Sequence, residues 1–147
     1  MSKRLDVLAA VRAMVESALP GAEFFGPTDD VPDASRIAAG GRVAIGSGDP
    51  GDPEVTLGVL TYSWSHRIPI ELSALPDGDT SAEAVLDAMA TAIGTAIEAD
   101  RTLGGLVEWL DAEPLTTDQI GLDAGGETAR AGDLAVIADY STSGPLN

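Results

Sequence analysis

The chain predicts an α+β domain: a mainly antiparallel sheet with two amphipathic helices packed on one of its faces. Three observations predict it. Two segments repeat apolar residues at helical spacing, several shorter ones alternate with the period of a strand, and short turn-rich stretches join strand-like neighbours. At 147 residues the chain reads as a single domain, 1–147, long enough to bury about 68–70% of its unfolded surface.

Residues Arg4 to Leu19 place Leu5, Leu8, Val11, Val15 and Leu19 on one stripe, widened by Val7, Met14 and Ala18, and Pro20-Gly21 stops the helix. Asp6, Arg12 and Glu16 interrupt the apolar run that a signal peptide needs, so the segment reads as a helix of the domain. "GPTDDVPDASR", Gly26 to Arg36, is a loop by composition, and its acids miss the alternating ligand pattern of a calcium loop. "RVAIG", Arg42 to Gly46, reads as a short strand ahead of the turn-rich "SGDPGDP".

"EVTLGVLTYSWSHRIPIELSA", Glu54 to Ala74, is the longest β-prone segment. It exceeds a usual strand, which predicts two strands or one sharply bent strand with a break near Ser63–Ser65. Ile68, Ile70 and Leu72 share one phase; Arg67, Glu71 and Ser73 take the other. Pro69 falls on the outward phase and demands an edge strand or a bulge, because it has no amide proton for a ladder.

After the turn "LPDGD", the residues "TSAE", Thr80 to Glu83, match a capping box. The helix it opens sets Val85, Leu86, Met89, Ile93, Ala96 and Ile97 against Asp87, Thr91, Thr95 and Glu98. Gly104 and Gly105 suit the left-handed conformation that closes a last helical turn. A strand from Leu106 to Ala112, a polar loop "TTDQIGLDAGGETARAG" and a strand from Asp133 to Thr142 complete the order. In that last strand Leu134, Val136, Ala138 and Tyr140 share a phase.

Composition limits the chemistry. Without cysteine there are no disulfides, thiolate metal sites or thiol nucleophiles, which fits a reducing compartment. Neither segment reaches the roughly 20 apolar residues of a membrane-spanning helix. A net charge of −16 and a pI near 4.1 oppose adhesion to nucleic acid or anionic lipid through a basic patch.

Candidate reactive groups are few. His66 is the only histidine, so a Ser-His-Asp arrangement would have to be built on it; yet no Gly-x-Ser-x-Gly elbow exists, and His66 is in phase with Ile68. A structural or interface role is the better reading. "GSGDPG", Gly46 to Gly51, formally matches Gly-x-Gly-x-x-Gly, but prolines punctuate it, no helix follows, and Asp49 and Asp52 would repel a pyrophosphate; it reads as a hairpin turn. The residues call for no cofactor, no metal and no catalytic group. "YSWSHR" sets Tyr62, Trp64 and His66 in one phase beside Arg67, the side-chain types that protein interfaces concentrate at their centres, with plain core packing as the alternative for Trp64 and Arg67.

The opening helix ending in "ALPGAEFF", the stretch "RVAIGSGDPGDPEVTLGVLTYSWSHRIPIEL", the capped helix running into "DRTLGGLVEWLDAEP" and the closing "LAVIADYSTS" together resemble tail-terminator (tail-completion) proteins of long-tailed bacteriophages and prophages. The resemblance spans nearly the whole chain and rests on element order and the Leu-Gly-Gly turn. It implies a virion subunit that closes into a ring, usually a hexamer, caps the tail tube, ends its polymerisation and offers the surface that joins the head. Its implied partners are further copies of itself, the tail-tube protein and a head-completion protein, with DNA passing through the bore and no membrane involved. In such an acidic ring the few cations, Arg36, Arg42, Arg67, Arg101 and Arg130, would serve between subunits or against the tube, which makes Arg101 a further interface candidate. The family has no catalytic residues to carry over. "ADYSTSGPLN" lacks the basic residue that the family carries near its end. Alternatives are a head-completion (stopper) or tail-tube subunit, a small hydrolase or acyltransferase using His66, and an acidic binding module outside any virion.

Overall fold

A computed structural model describes residues 2–26, 37, 39–124 and 127–147, with the side chains of 119–128 left aside. The architecture is α+β: two helices and a six-stranded, mostly antiparallel sheet. Helix α1 spans Lys3–Ala18, capped by the Ser2 hydroxyl, which accepts from the Leu5 amide at 3.4 Å. Its buried residues are Val7, Leu8, Val11 and Val15, so the stripe is rotated from the expected one and Leu5 points to solvent.

Strand β1, Glu23–Phe25, runs parallel to β2, Arg42–Ile45. Three residues leave too short a pattern for sequence periodicity to detect. The Arg12 guanidinium fastens α1 to the end of β1 by donating to the Gly26 carbonyl at 2.6 Å. The acidic loop expected at Gly26–Arg36 lies, beyond Gly26, outside the described residues.

The long β-prone segment divides earlier than expected. Strand β3 is Glu54–Thr56, residues Leu57–Leu60 form the turn, and β4 runs unbroken from Thr61 to Ala74. No break occurs at Ser63–Ser65, because β6 and β3 both pair with β4 there. β4 is the centre of the sheet, not an edge. Pro69 is tolerated because a bulge faces it: Gly46 donates to the Pro69 carbonyl at 2.9 Å, and the next matched pair is Asp49 with Arg67. Three steps on one strand oppose two on the other. "GSGDPG" is thus the bulged continuation of β2 along β4; the hairpin turn expected there comes later, at Leu57–Leu60. Gly48, at φ +69°, makes the bulge possible, since a Cβ would overlap the Arg67 carbonyl oxygen.

Helix α2 spans Ala82–Ala99. Its cap is Ser81 rather than Thr80: the Ser81 hydroxyl accepts from Ala84 at 3.2 Å. Thr80 instead pairs with Asp77 in the preceding turn, and Glu83 reaches Arg130 at 2.8 Å and Thr117 at 3.0 Å on the sheet. The helix also stops sooner than Gly104. Asp100 ends it and holds the turn that follows, accepting from Thr102 and from Gly104, while Leu103, Gly104 and Gly105 all take positive φ. The double glycine therefore serves this turn rather than the last helical carbonyls.

Strands β5, Trp109–Ala124, and β6, Glu127–Thr142, form one long antiparallel ladder. The polar loop expected between them is mostly strand, with bulges at Glu113/Thr116 and Gln119/Asp123. The order across the sheet is β1-β2-β4-β6-β5, with β3 beside β4. Because β6 already pairs with Tyr62–Ser63, β3 lies on the β2 side.

Alternation then decides the core. His66, Ile68, Ile70, Leu72 and Ala74 of β4 and Leu134, Val136, Ala138 and Tyr140 of β6 point to the helical layer, where Val7, Val11, Val15, Leu86, Met89, Ile93 and Ile97 close over them. Burial of this apolar surface, at about 25 cal/mol per Å² removed from water, is the main driving force for the fold. Among the described residues no helix is long and apolar enough to cross a membrane.

Candidate functional site

Among the described residues, the opposite face of the sheet carries no helix. Its central feature is a bidentate pair across β6: Arg67 Nε and Nη2 donate to the Glu113 carboxylate at 2.8–3.0 Å. Pro69, Ala135 and Glu113 lie in one cross-strand row, with Arg67 and Ile137 in the next, so the pair roofs a small apolar floor. Glu113 raises the Arg67 pKa, and Arg67 holds the Glu113 carboxyl below its usual range. Both groups stand in solvent, which screens the attraction. Nearby, Ser65 donates to Asp139 at 2.6 Å and Ser141 to Glu108 at 2.6 Å.

At the edge strand, Trp109 is 48% exposed and the Arg101 guanidinium sits 4.7 Å from its ring centroid. Arg101 Nη1 also donates to the Leu110 carbonyl at 2.8 Å, which fixes the stack. Trp109 and Asp139 are register partners, so this stack borders the same open face as Arg67.

Tyr62, Trp64 and His66 belong to the other phase. Trp64 is half-buried, donates Nε1–H to the Thr142 hydroxyl at 2.9 Å, and lines a depression of about 240 Å³ with Arg4, Pro50, Tyr140 and Leu146. Tyr62, opposite Val55 of β3, is partly exposed at the end of the sheet. His66 is 0% exposed, so what it offers any contact is the position of its strand. Its Nε2 lies 2.7 Å from the Ser47 carbonyl, which can only accept; Nε2 therefore carries the proton and Nδ1 accepts from the Tyr140 hydroxyl at 3.1 Å. Burial lowers the His66 pKa, partly offset by the Ser47 bond, and burial raises that of Tyr140. With both nitrogens engaged and no serine hydroxyl on either, this imidazole lacks the nucleophile–base geometry of a triad.

The five candidates thus separate into two groups: Arg67 and Arg101 at the open face, Tyr62 and Trp64 at the end of the helical face with His66 behind them. Two features escaped the sequence reading. One is Trp109 as the partner of Arg101. The other is the β3–β4 tip, where Leu57 is 82% and Val59 85% exposed, with Val55 and Leu60 also in solvent. The signal for the tip was present in "TLGVL", an uncharged aliphatic run around a glycine. Among the described residues, no group of three or more histidines or acids is placed to hold a metal ion.

No protein-family model matches the chain, and no curated protein matches it. Solved structures do. One is a chain from the virion of a native gene transfer agent particle, with a TM-score of 0.55 and 16% identity over 92% of this chain and 94% of that one. At that identity the likeness is one of fold, and it extends over nearly the whole of both chains.

Proposed function

We propose that this chain is a structural subunit of a phage-like particle: a tail terminator that closes into a ring, caps the tail tube and presents the surface that joins the head. The observation that carries the proposal is the fold match to a virion chain over 92% of this chain and 94% of that one. The resemblance in element order and in the Leu-Gly-Gly turn supports the same role. So does the chemistry at His66, which is buried and hydrogen-bonded where an enzyme would need it open.

Charge suits the role. Six subunits at −16 each would bring close to a hundred negative charges to one ring. Where these charges line the bore, DNA slides through instead of sticking, because carboxylates offer no cationic contact to its phosphates. A heterologous contact that closes into a ring leaves no free lateral end.

Negative-stain microscopy with mass measurement tests the proposal, on the purified chain and on the chain mixed with tail tubes of its own particle. The expected result is rings of one size, seated at tube ends. Open filaments from the chain alone would favour the tube-subunit reading, and turnover of an ester or thioester lost in His66→Ala would replace the structural reading altogether.

A further inference from the structure

Four of the exposed large apolar side chains sit on one six-residue tip, Val55 to Leu60. This tip comprises the end of β3 and the turn after it, and among the described residues β3 pairs with β4 alone. From Val55 to Tyr62 it carries no charge, in a chain of −16. An exposed aliphatic finger of this kind is the signature of an interaction surface.

On the far side of the molecule, between α2 and β5, lies a cleft of about 230 Å³ lined by Ala90, Ile93, Gly94, Pro114, Leu115 and Leu134. The space beside Gly94 is open, since a Cβ there would meet nothing within 4 Å. Among the described residues, the only charged one on its wall, Glu113, is already held by Arg67.

We infer that the β3–β4 tip of one copy seats in the α2–β5 cleft of a second copy. Electrostatics restricts the surfaces that two copies can share. Two such acidic chains repel wherever their acids are brought together, and like-charge juxtaposition is costly at an interface. The uncharged tip and the apolar cleft are surfaces that two copies can join without opposing carboxylates. The cleft is also sized for a pair of aliphatic side chains rather than for a whole helix. Tip and cleft are different patches on opposite edges of the sheet, so the contact is heterologous and repeats from copy to copy, as a closed ring requires. This inference rests on the ring reading and specifies its subunit contact.

The absence of cysteine makes the test clean. Val59→Cys and Ala90→Cys are prepared separately, mixed under assembly conditions and oxidised. A disulfide-linked dimer from the mixture, and from neither variant alone, is the expected result. The pair Leu57→Asp and Val59→Asp should abolish assembly with the melting temperature unchanged, because both side chains lie in solvent. Rings that form without the cross-link and survive the aspartates would overturn this contact and leave the ring reading standing. A wild-type chain that neither self-associates nor stays at tube ends would remove both. Cross-linking of Val59→Cys in particles to a different virion protein would also overturn the second-copy assignment.

Discussion

The two faces of the β4–β6 ladder come from the same strands, alternating residue by residue, yet they are held by different forces. On the helical face Ile68 sits against Val136 and Ile70 against Leu134, fully or almost fully buried. On the open face Arg67 reaches across Ile137 and Ala135 to Glu113, and Ser65 bonds Asp139. The first face is stabilised by removal from water, the second by polar pairs that water weakens. The helical face therefore sets stability, and the open face and the sheet ends remain available for recognition.

The comparison is tested hardest by Ile68→Ala. At 0% exposure among packed neighbours, it should cost about 2–5 kcal/mol through lost transfer energy and a cavity. Urea unfolding should show a lower midpoint with an unchanged slope. A midpoint within error of the wild type would mean that the helices do not close this face as described.

The polar residue of the helical face sharpens the contrast. His66 is buried neutral with a pKa lowered by desolvation, so the unfolded chain binds its proton more readily. Its contribution is complete above the unfolded value of 6.5 and is lost as pH falls from there towards the lowered folded value. Nearby, Arg4 opposes the protonated form and Asp49 favours it. Stability should therefore decline with a histidine-like slope above the range, near pH 4, where free carboxylates titrate. His66→Leu should flatten that slope and cost about 1–3 kcal/mol at neutral pH, because the Ser47 carbonyl and the Tyr140 hydroxyl lose their partner. A slope unchanged in His66→Leu would show that another group titrates there.

The smallest effect belongs to the open face. Arg67→Ala should leave the melting temperature close to wild type and abolish the part of its salt dependence that the Glu113 pair contributes. A large loss of stability would instead show that the ion pair, rather than the helical layer, supports the centre of the sheet.

Much of this was legible in the chain. The α2 stripe of Leu86, Met89, Ile93 and Ile97 and the β4 alternation of Ile68, Ile70 and Leu72 could be read from spacing, because a long amphipathic element repeats one choice many times. Short or irregular pieces could not. β1 is three residues long, and the β5–β6 ladder passes through threonine, aspartate and glycine, whose local preference is for turns. Their strand conformation comes from a partner strand distant in sequence. The cap moved by one residue for a similar reason: Glu83 is held by Arg130 and Thr117 across the domain instead of turning back on Thr80.

Of the candidate site, the sequence nominated residue types while the tertiary structure decided their company. Composition alone established an acidic, cysteine-free chain with one histidine, and periodicity alone established two helices over an antiparallel sheet. Only the folded chain could bring Arg67 to Glu113, Arg101 to Trp109 and His66 to Tyr140, and leave Leu57 and Val59 in water. Those outcomes depend on register between strands far apart in the chain, and a one-residue slip would send each side chain to the other face.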